Sequence, residues 1–185
     1  MSSLAAPPLA AAPTAHAEPA APTARVRPTC SAEDWLAICA LYADYAAALD
    51  ARELDRWPGF FTEACIYKLQ SRENFDRGWP LATLAFESRG MLQDRVYAAK
   101  DTLFHDPYHQ RHIVGLPRLL ACTVTGWRIE ASLLVMRTRR DCMPEPLFVG
   151  RTLDHVVQSP DGLLFAERLC IFDNDLLPNS IVDPI

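Results

Sequence analysis

Three histidines and an aspartate crowd one short segment, His105-Asp106-Pro107-Tyr108-His109-Gln110-Arg111-His112. Two histidines and a carboxylate form the ligand set that holds a mononuclear iron with open positions. The order of these residues argues against that chemistry. Pro107 keeps His105 and His109 from sharing one helix face. On a strand, His109 and His112 would point to opposite sides. The segment therefore reads as a helix-to-strand corner suited to an interface.

Other chemistries lack their residues. A Rieske cluster needs two Cys and two His, usually as close Cys–His pairs. The chain has six cysteines, Cys30, Cys39, Cys65, Cys122, Cys142 and Cys170, and none has a histidine within three residues. There is no GxSxG elbow, no HExxH helix and no Gly-rich phosphate loop. What remains is acid–base chemistry in a cavity. Asp44, Tyr45 and Asp50 fall on or near the first helix, and His155 falls on a strand. Asp44, Tyr45 and His155 are the acid or base candidates of a stand-alone enzyme reading.

The elements that would position these residues follow from periodicity. Residues 1–29 form an extension, expected to be flexible and of no assigned role. Positions 1–28 hold ten Ala, six Pro and no aromatic residue, too little apolar surface to offset ordering entropy. The domain is expected over 30–185. Ser31 caps a helix to Asp50, with Trp35, Ile38, Leu41, Tyr42, Tyr45 and Leu49 on one face. A short helix is expected at Glu53–Trp57, a strand at 64–69, a polar loop at 71–78 and a helix at 84–103 that begins or bends at Gly90. Strands are expected at 111–123, 127–140, 146–158 and 163–173, separated by turn residues. Helices followed by a strand meander imply an α+β fold, a curved and mostly antiparallel sheet wrapped on the helices.

Bulk properties narrow the function. A chain of 185 residues with net charge −5 and no basic stripe is a poor nucleic-acid binder. No apolar run reaches the roughly 20 residues of a membrane span. Ala15-His16-Ala17 resembles a leader-cleavage site, but no basic residue precedes it and Pro7, Pro8 and Pro13 break the apolar stretch, so no secretory leader is expected. The widely spaced cysteines read as reduced thiols and the chain as cytoplasmic. Two segments look like contact surfaces: Glu87 to Val96, with Asp94 and Arg95, and the apolar ending with Leu176, Leu177, Ile181, Val182 and Ile185, which must dock on the parent domain or on a neighbour.

Four stretches carry a family resemblance: Trp57-Pro58-Gly59-Phe60-Phe61, Met91-Leu92-Gln93-Asp94-Arg95-Val96, Tyr108 through Pro117, and Phe172-Asp173-Asn174-Asp175-Leu176-Leu177-Pro178-Asn179. In this order and spacing they resemble the small (β) subunits of bacterial aromatic-ring-hydroxylating oxygenases. Tyr67 to Phe75 and His105 to Leu119 resemble the salicylate 5-hydroxylase branch most, and the terephthalate branch less. The resemblance implies a cystatin-like, nuclear-transport-factor-like cone with no catalytic or metal residues of its own. It implies assembly with a large α subunit, usually as three α and three β chains. That α subunit would carry the Rieske [2Fe-2S] cluster and the mononuclear non-haem iron, fed by a ferredoxin and an NAD(P)H reductase. Met91, Asp94, Arg95, Arg111, His112, Asn174, Asp175, Pro178 and Asn179 are then the expected interface residues. The competing reading is an isomerase, dehydratase or cyclase on the same cone.

Overall fold

The computed structural model describes residues 29–103, 105–174, 177 and 181–185. The extension expected over 1–29 lies outside them except for Thr29. Helix α1 (Ala32–Asp50) opens where the sequence places it. Ser31 accepts a hydrogen bond from the Asp34 N–H, and its own hydroxyl donates to the Asp34 carboxylate. A 3-10 turn (Leu54–Phe60) follows, with Pro58 inside it, and leads into β1 (Phe61–Ser71).

Two expectations are corrected in the next stretch. The loop expected at 71–78 contains a short helix, α2 (Arg72–Asp76), capped by Ser71. The single helix expected at 84–103 is three elements: β2 (Leu84–Phe86), α3 (Arg89–Tyr97) and a π-type turn (Ala98–Thr102). Leu84 to Phe86 pair with Leu69 to Tyr67 of β1, a long-range contact that overrides local helical spacing. The Ser88 hydroxyl caps α3 through the Met91 N–H, so the helix starts just before Gly90.

The remaining strands are β3 (Tyr108–Val114), β4 (Arg118–Cys122), β5 (Gly126–Arg139), β6 (Glu145–Ser159) and β7 (Gly162–Phe172). The strand expected at 111–123 is split at Gly115-Leu116-Pro117. Beyond the split, β4 pairs with the first half of β5, while β3 pairs with the second half. The sheet order is β2-β1-β7-β6-β5-β3; β1 and β7 are parallel and the other pairs antiparallel. Bulges interrupt β1–β7, β4–β5, β5–β6 and β6–β7. Such irregularities bend long strands and increase twist, and here they curl the sheet around α1.

Alternation sorts the side chains. Ile129, Ala131, Leu133 and Val135 of β5 face inward, as do Thr152, Asp154 and Val156 of β6. The core joins these to Tyr42, Tyr45, Trp57, Phe61, Tyr67 and Phe165. Gly150 is needed where β6 crosses β7, because a Cβ there would lie 2.0 Å from the Ile171 carbonyl oxygen. Gly150→Ala is expected to lower stability by about 1–3 kcal/mol through forced backbone displacement. Urea unfolding measures this, and an unchanged midpoint would contradict the close approach.

Candidate functional site

The expected interface residues separate into two groups. On α3, Leu92 and Val96 turn into the core, while Met91 and Asp94 are exposed. Arg95 turns the other way. Its guanidinium donates to the main-chain carbonyls of Ile181 and of Val182, the latter at 2.8 Å. Both named hydrogen bonds tie the half-buried Arg95 to its own chain.

On β3 the same split recurs. Arg111 is exposed, with 73% of its side chain accessible, and reaches Asp50 at 3.1 Å. His112 is buried. Its main-chain N–H donates to Asp50 Oδ1 at 2.9 Å, and its Nδ1 lies 2.7 Å from the same oxygen. His112 therefore clamps the C-terminus of α1 onto β3, which corrects its assignment to a surface. Its Nε2 and both amide atoms of Gln110 are buried without a hydrogen-bond partner among the described residues. Asp50→Ala would strand the His112 donors in an apolar setting. The expected loss is about 1–3 kcal/mol, read as a lower urea midpoint; no change would mean that the clamp contributes nothing.

Asn174 extends β7 past its end. Its side-chain oxygen accepts from the Val149 N–H at 3.1 Å, beside the Asp173 N–H to Val149 carbonyl bond of 2.7 Å. Asp175, Pro178 and Asn179 lie outside the described residues.

The cavity candidates do not converge. Asp44 is exposed on the outer side of α1, which corrects its placement in a cavity. His155 faces away from Asp154 and Val156, and its Nε2 lies 3.3 and 3.2 Å from the Thr123 and Thr125 hydroxyls. Burial and the neighbouring Arg128 hold its pKa below the ordinary histidine range, with Glu167 opposing them. Tyr45 alone lies inside. Its hydroxyl donates to the Ile185 carbonyl at 2.8 Å and accepts from the Trp57 indole N–H at 2.9 Å. Burial raises its pKa, so the phenol stays neutral and is a poor base.

The interior holds polar residues that the sequence reading missed. Asp154 and Arg168 face each other across β6–β7, with a guanidinium-to-carboxylate distance of 3.3 Å. Tyr42 and Thr152 donate to the same Asp154 oxygen, Thr152 at 2.6 Å. The guanidinium lies 4.2 Å from the Tyr45 ring centroid and 4.7 Å from that of Phe165. Burial is the largest influence and opposes the Arg168 charge, but Asp154 together with Tyr45, Cys170 and Tyr42 raises its pKa on balance. Burial pushes the Cys170 thiol up to about 11 despite Arg168, which leaves it protonated and inert. Residues 181–185 fill the remaining space: Ile181, Val182, Asp183 and Ile185 are all buried. The interior is thus occupied by the chain itself.

The histidine-rich corner stays dispersed. His105 bonds the Asp106 carbonyl and packs on Tyr108, His109 is exposed and His112 is buried. No group of three or more His, Cys, Asp or Glu among the described residues is arranged to hold a metal ion. No described helix is long and apolar enough to cross a membrane.

These features define an α+β cone of the nuclear-transport-factor-like class with a filled interior. Within that class, the chain belongs to the family described as ring hydroxylating beta subunit, whose pattern matches residues 44–179. It is 29% identical over 151 residues to the anthranilate 1,2-dioxygenase small subunit of Burkholderia cepacia, covering 82% of this chain and 94% of that one. It is 27% identical over 148 residues to subunit beta 2 of the terminal oxygenase component of terephthalate 1,2-dioxygenase from Comamonas sp, covering 80% and 96%. Among solved structures, a protein from Novosphingobium aromaticivorans assigned as the β subunit of an aromatic-ring-hydroxylating dioxygenase superposes with TM-score 0.75 at 31% identity, covering 82% and 96%.

Proposed function

We propose that this chain is the non-catalytic subunit of an aromatic-ring-hydroxylating oxygenase, cytoplasmic, and that it assembles with an iron-bearing α subunit as three α and three β chains. The carrying observation is the fate of the acid–base candidates. Asp44 is on the surface, His155 is on the far side of the sheet, and the Tyr45 hydroxyl is committed to Ile185 and Trp57. Electrons would reach the α subunit from NAD(P)H through a reductase and ferredoxin, with the Rieske cluster and mononuclear iron held there. Met91, Asp94, Arg111 and the segment around Asn174 to Asn179 are the proposed contact residues on this side. Exposed Ile113 and Leu116 extend that surface beside Arg111.

The substrate class we infer is an aromatic carboxylate. Anthranilate and terephthalate, named for the relatives, are both ring carboxylates, and the salicylate resemblance of Tyr67 to Phe75 adds a third. Co-expression with the large subunit tests the assembly: a complex should co-purify and elute as one hexameric species. An Asp94→Arg, Arg111→Glu double variant should weaken it. A chain that never associates would overturn the reading. Turnover of salicylate, anthranilate and terephthalate by the complex then identifies the substrate.

A further inference from the structure

Residues Ile181 to Ile185 are held as a ligand is held. None of the backbone–backbone hydrogen bonds among the described residues involves them, and they join no strand pairing. Side chains from separate elements bind their polar groups instead. Arg95 of α3 takes the Ile181 and Val182 carbonyls. Tyr108 of β3 accepts from the Asp183 N–H at 3.4 Å, and Arg52, beyond α1, pairs with the Asp183 carboxylate at 3.0 Å. Tyr67 of β1 accepts from the Ile185 N–H at 3.2 Å and donates to its carbonyl at 3.0 Å; Tyr45 of α1 donates to that carbonyl as well. The apolar side chains of Ile181, Val182 and Ile185 are buried among the core residues.

This division of labour has a physical consequence. A segment within a ladder shares its hydrogen bonds with its neighbours and leaves only when the sheet opens. A segment bound by side chains can leave while every strand stays paired, so its opening belongs to the low-energy, local class. The groups it would leave behind, three phenols and two guanidiniums beside apolar core residues, are complementary to a peptide: donors for carbonyls, a cation for an acidic side chain, and apolar space.

We propose that the cone contains a peptide-binding site, and that Ile181–Ile185 is its resident ligand, an apolar peptide with a central aspartate, recognised through its main-chain groups, that aspartate and its buried apolar side chains together. The site is therefore exchangeable, and the same five residues supplied in trans occupy it.

Hydrogen exchange on the full chain tests this. The Val182, Asp183 and Ile185 amides should exchange by local opening, faster than the β5–β6 ladder and with little denaturant dependence. Arg95→Ala removes a charged donor from two carbonyls and should speed their exchange on the order of 10–100-fold, leaving the ladder unchanged. An excess of the acetylated peptide Ile-Val-Asp-Pro-Ile should speed it further by capturing the open cone, and a scrambled peptide should not. The proposal is overturned if these amides exchange only together with the sheet, or if the peptide has no effect. A chain ending at Ser180 supplies a second measurement. It should bind the peptide and regain thermal stability; failure to bind when folded, or to recover structure with peptide present, also overturns the idea.

Discussion

Arg168→Ala is expected to lower folding stability by roughly 3–5 kcal/mol, the range for breaking a buried ion pair by removing one partner. The cause is the group left behind. Asp154 is fully enclosed, and Tyr42, Thr152 and Arg168 all donate to one of its oxygens. Burial already raises the Asp154 pKa, and Arg168 is the largest influence opposing that rise. Without the guanidinium the carboxylate must either remain ionised in an apolar setting or take up a proton. The lost side chain also leaves space between the Tyr45 and Phe165 rings. The double variant Asp154→Leu, Arg168→Met removes both charges and should recover most of the loss, because an apolar pair of similar volume often matches a buried ion pair. Urea unfolding of the single and double variants decides the matter. A single variant within about 1 kcal/mol of the parent chain would mean that the pair is not stabilising against its own desolvation.

How far the sequence reveals this arrangement depends on whether a residue's task is local. The Ser31 cap, the apolar face of α1 and the turns between β5, β6 and β7 depend on neighbours in sequence, and they are readable there. Leu84 to Phe86 join β1 through partners at 67–69, so local helical spacing misassigns them. Direction is the other limit. Asp94 and Arg95 are adjacent on α3 and both charged, with opposite sign, yet Asp94 points to solvent and Arg95 to Ile181 and Val182. Nothing in the order of residues 87–96 distinguishes these two fates. The missed pair Asp154 and Arg168 did leave a signal. Asp154 alternates with Thr152 and Val156, at a position of β6 where an inward apolar residue is expected, and a charge there calls for a partner across the sheet. The apolar ending was legible as a docking segment. That it docks on its own domain follows only from the placement of Arg95, Tyr67 and Tyr45.

The buried polar groups and the bound ending are one arrangement. Tyr45 touches both: its ring faces Arg168, and its hydroxyl binds Ile185 and Trp57. A cone whose interior is used in this way has its remaining chemistry on its outside, where Met91, Asp94, Arg111 and Ile113 are exposed. Stability and partner contact are therefore separable by mutation. Interior variants should change the unfolding midpoint before they change assembly, and outer variants should do the reverse.

Trp57→Ala should provide the clearest interior case, with a loss of about 3–5 kcal/mol, the range for a large aromatic deleted from a core. Trp57 has 0% exposure and meets Phe61, Tyr67 and Phe86 edge-on, with ring centroids 5.9, 5.3 and 6.4 Å away. Its N–H also orients the Tyr45 hydroxyl toward Ile185. Trp57→Phe keeps a ring but removes the donor, and should cost less than Trp57→Ala. The alanine variant leaves an aromatic-walled void of the kind that accepts small apolar molecules. Indole fits it in both shape and polarity, because its N–H can replace the lost donor to Tyr45. Millimolar indole should therefore raise the melting temperature of Trp57→Ala and leave the parent chain unaffected. If both proteins respond alike, indole is acting elsewhere and the void has collapsed. If only the alanine variant responds, the Trp57 site is a rigid socket, and the phenol that orients Ile185 is held in place by the ring that fills it.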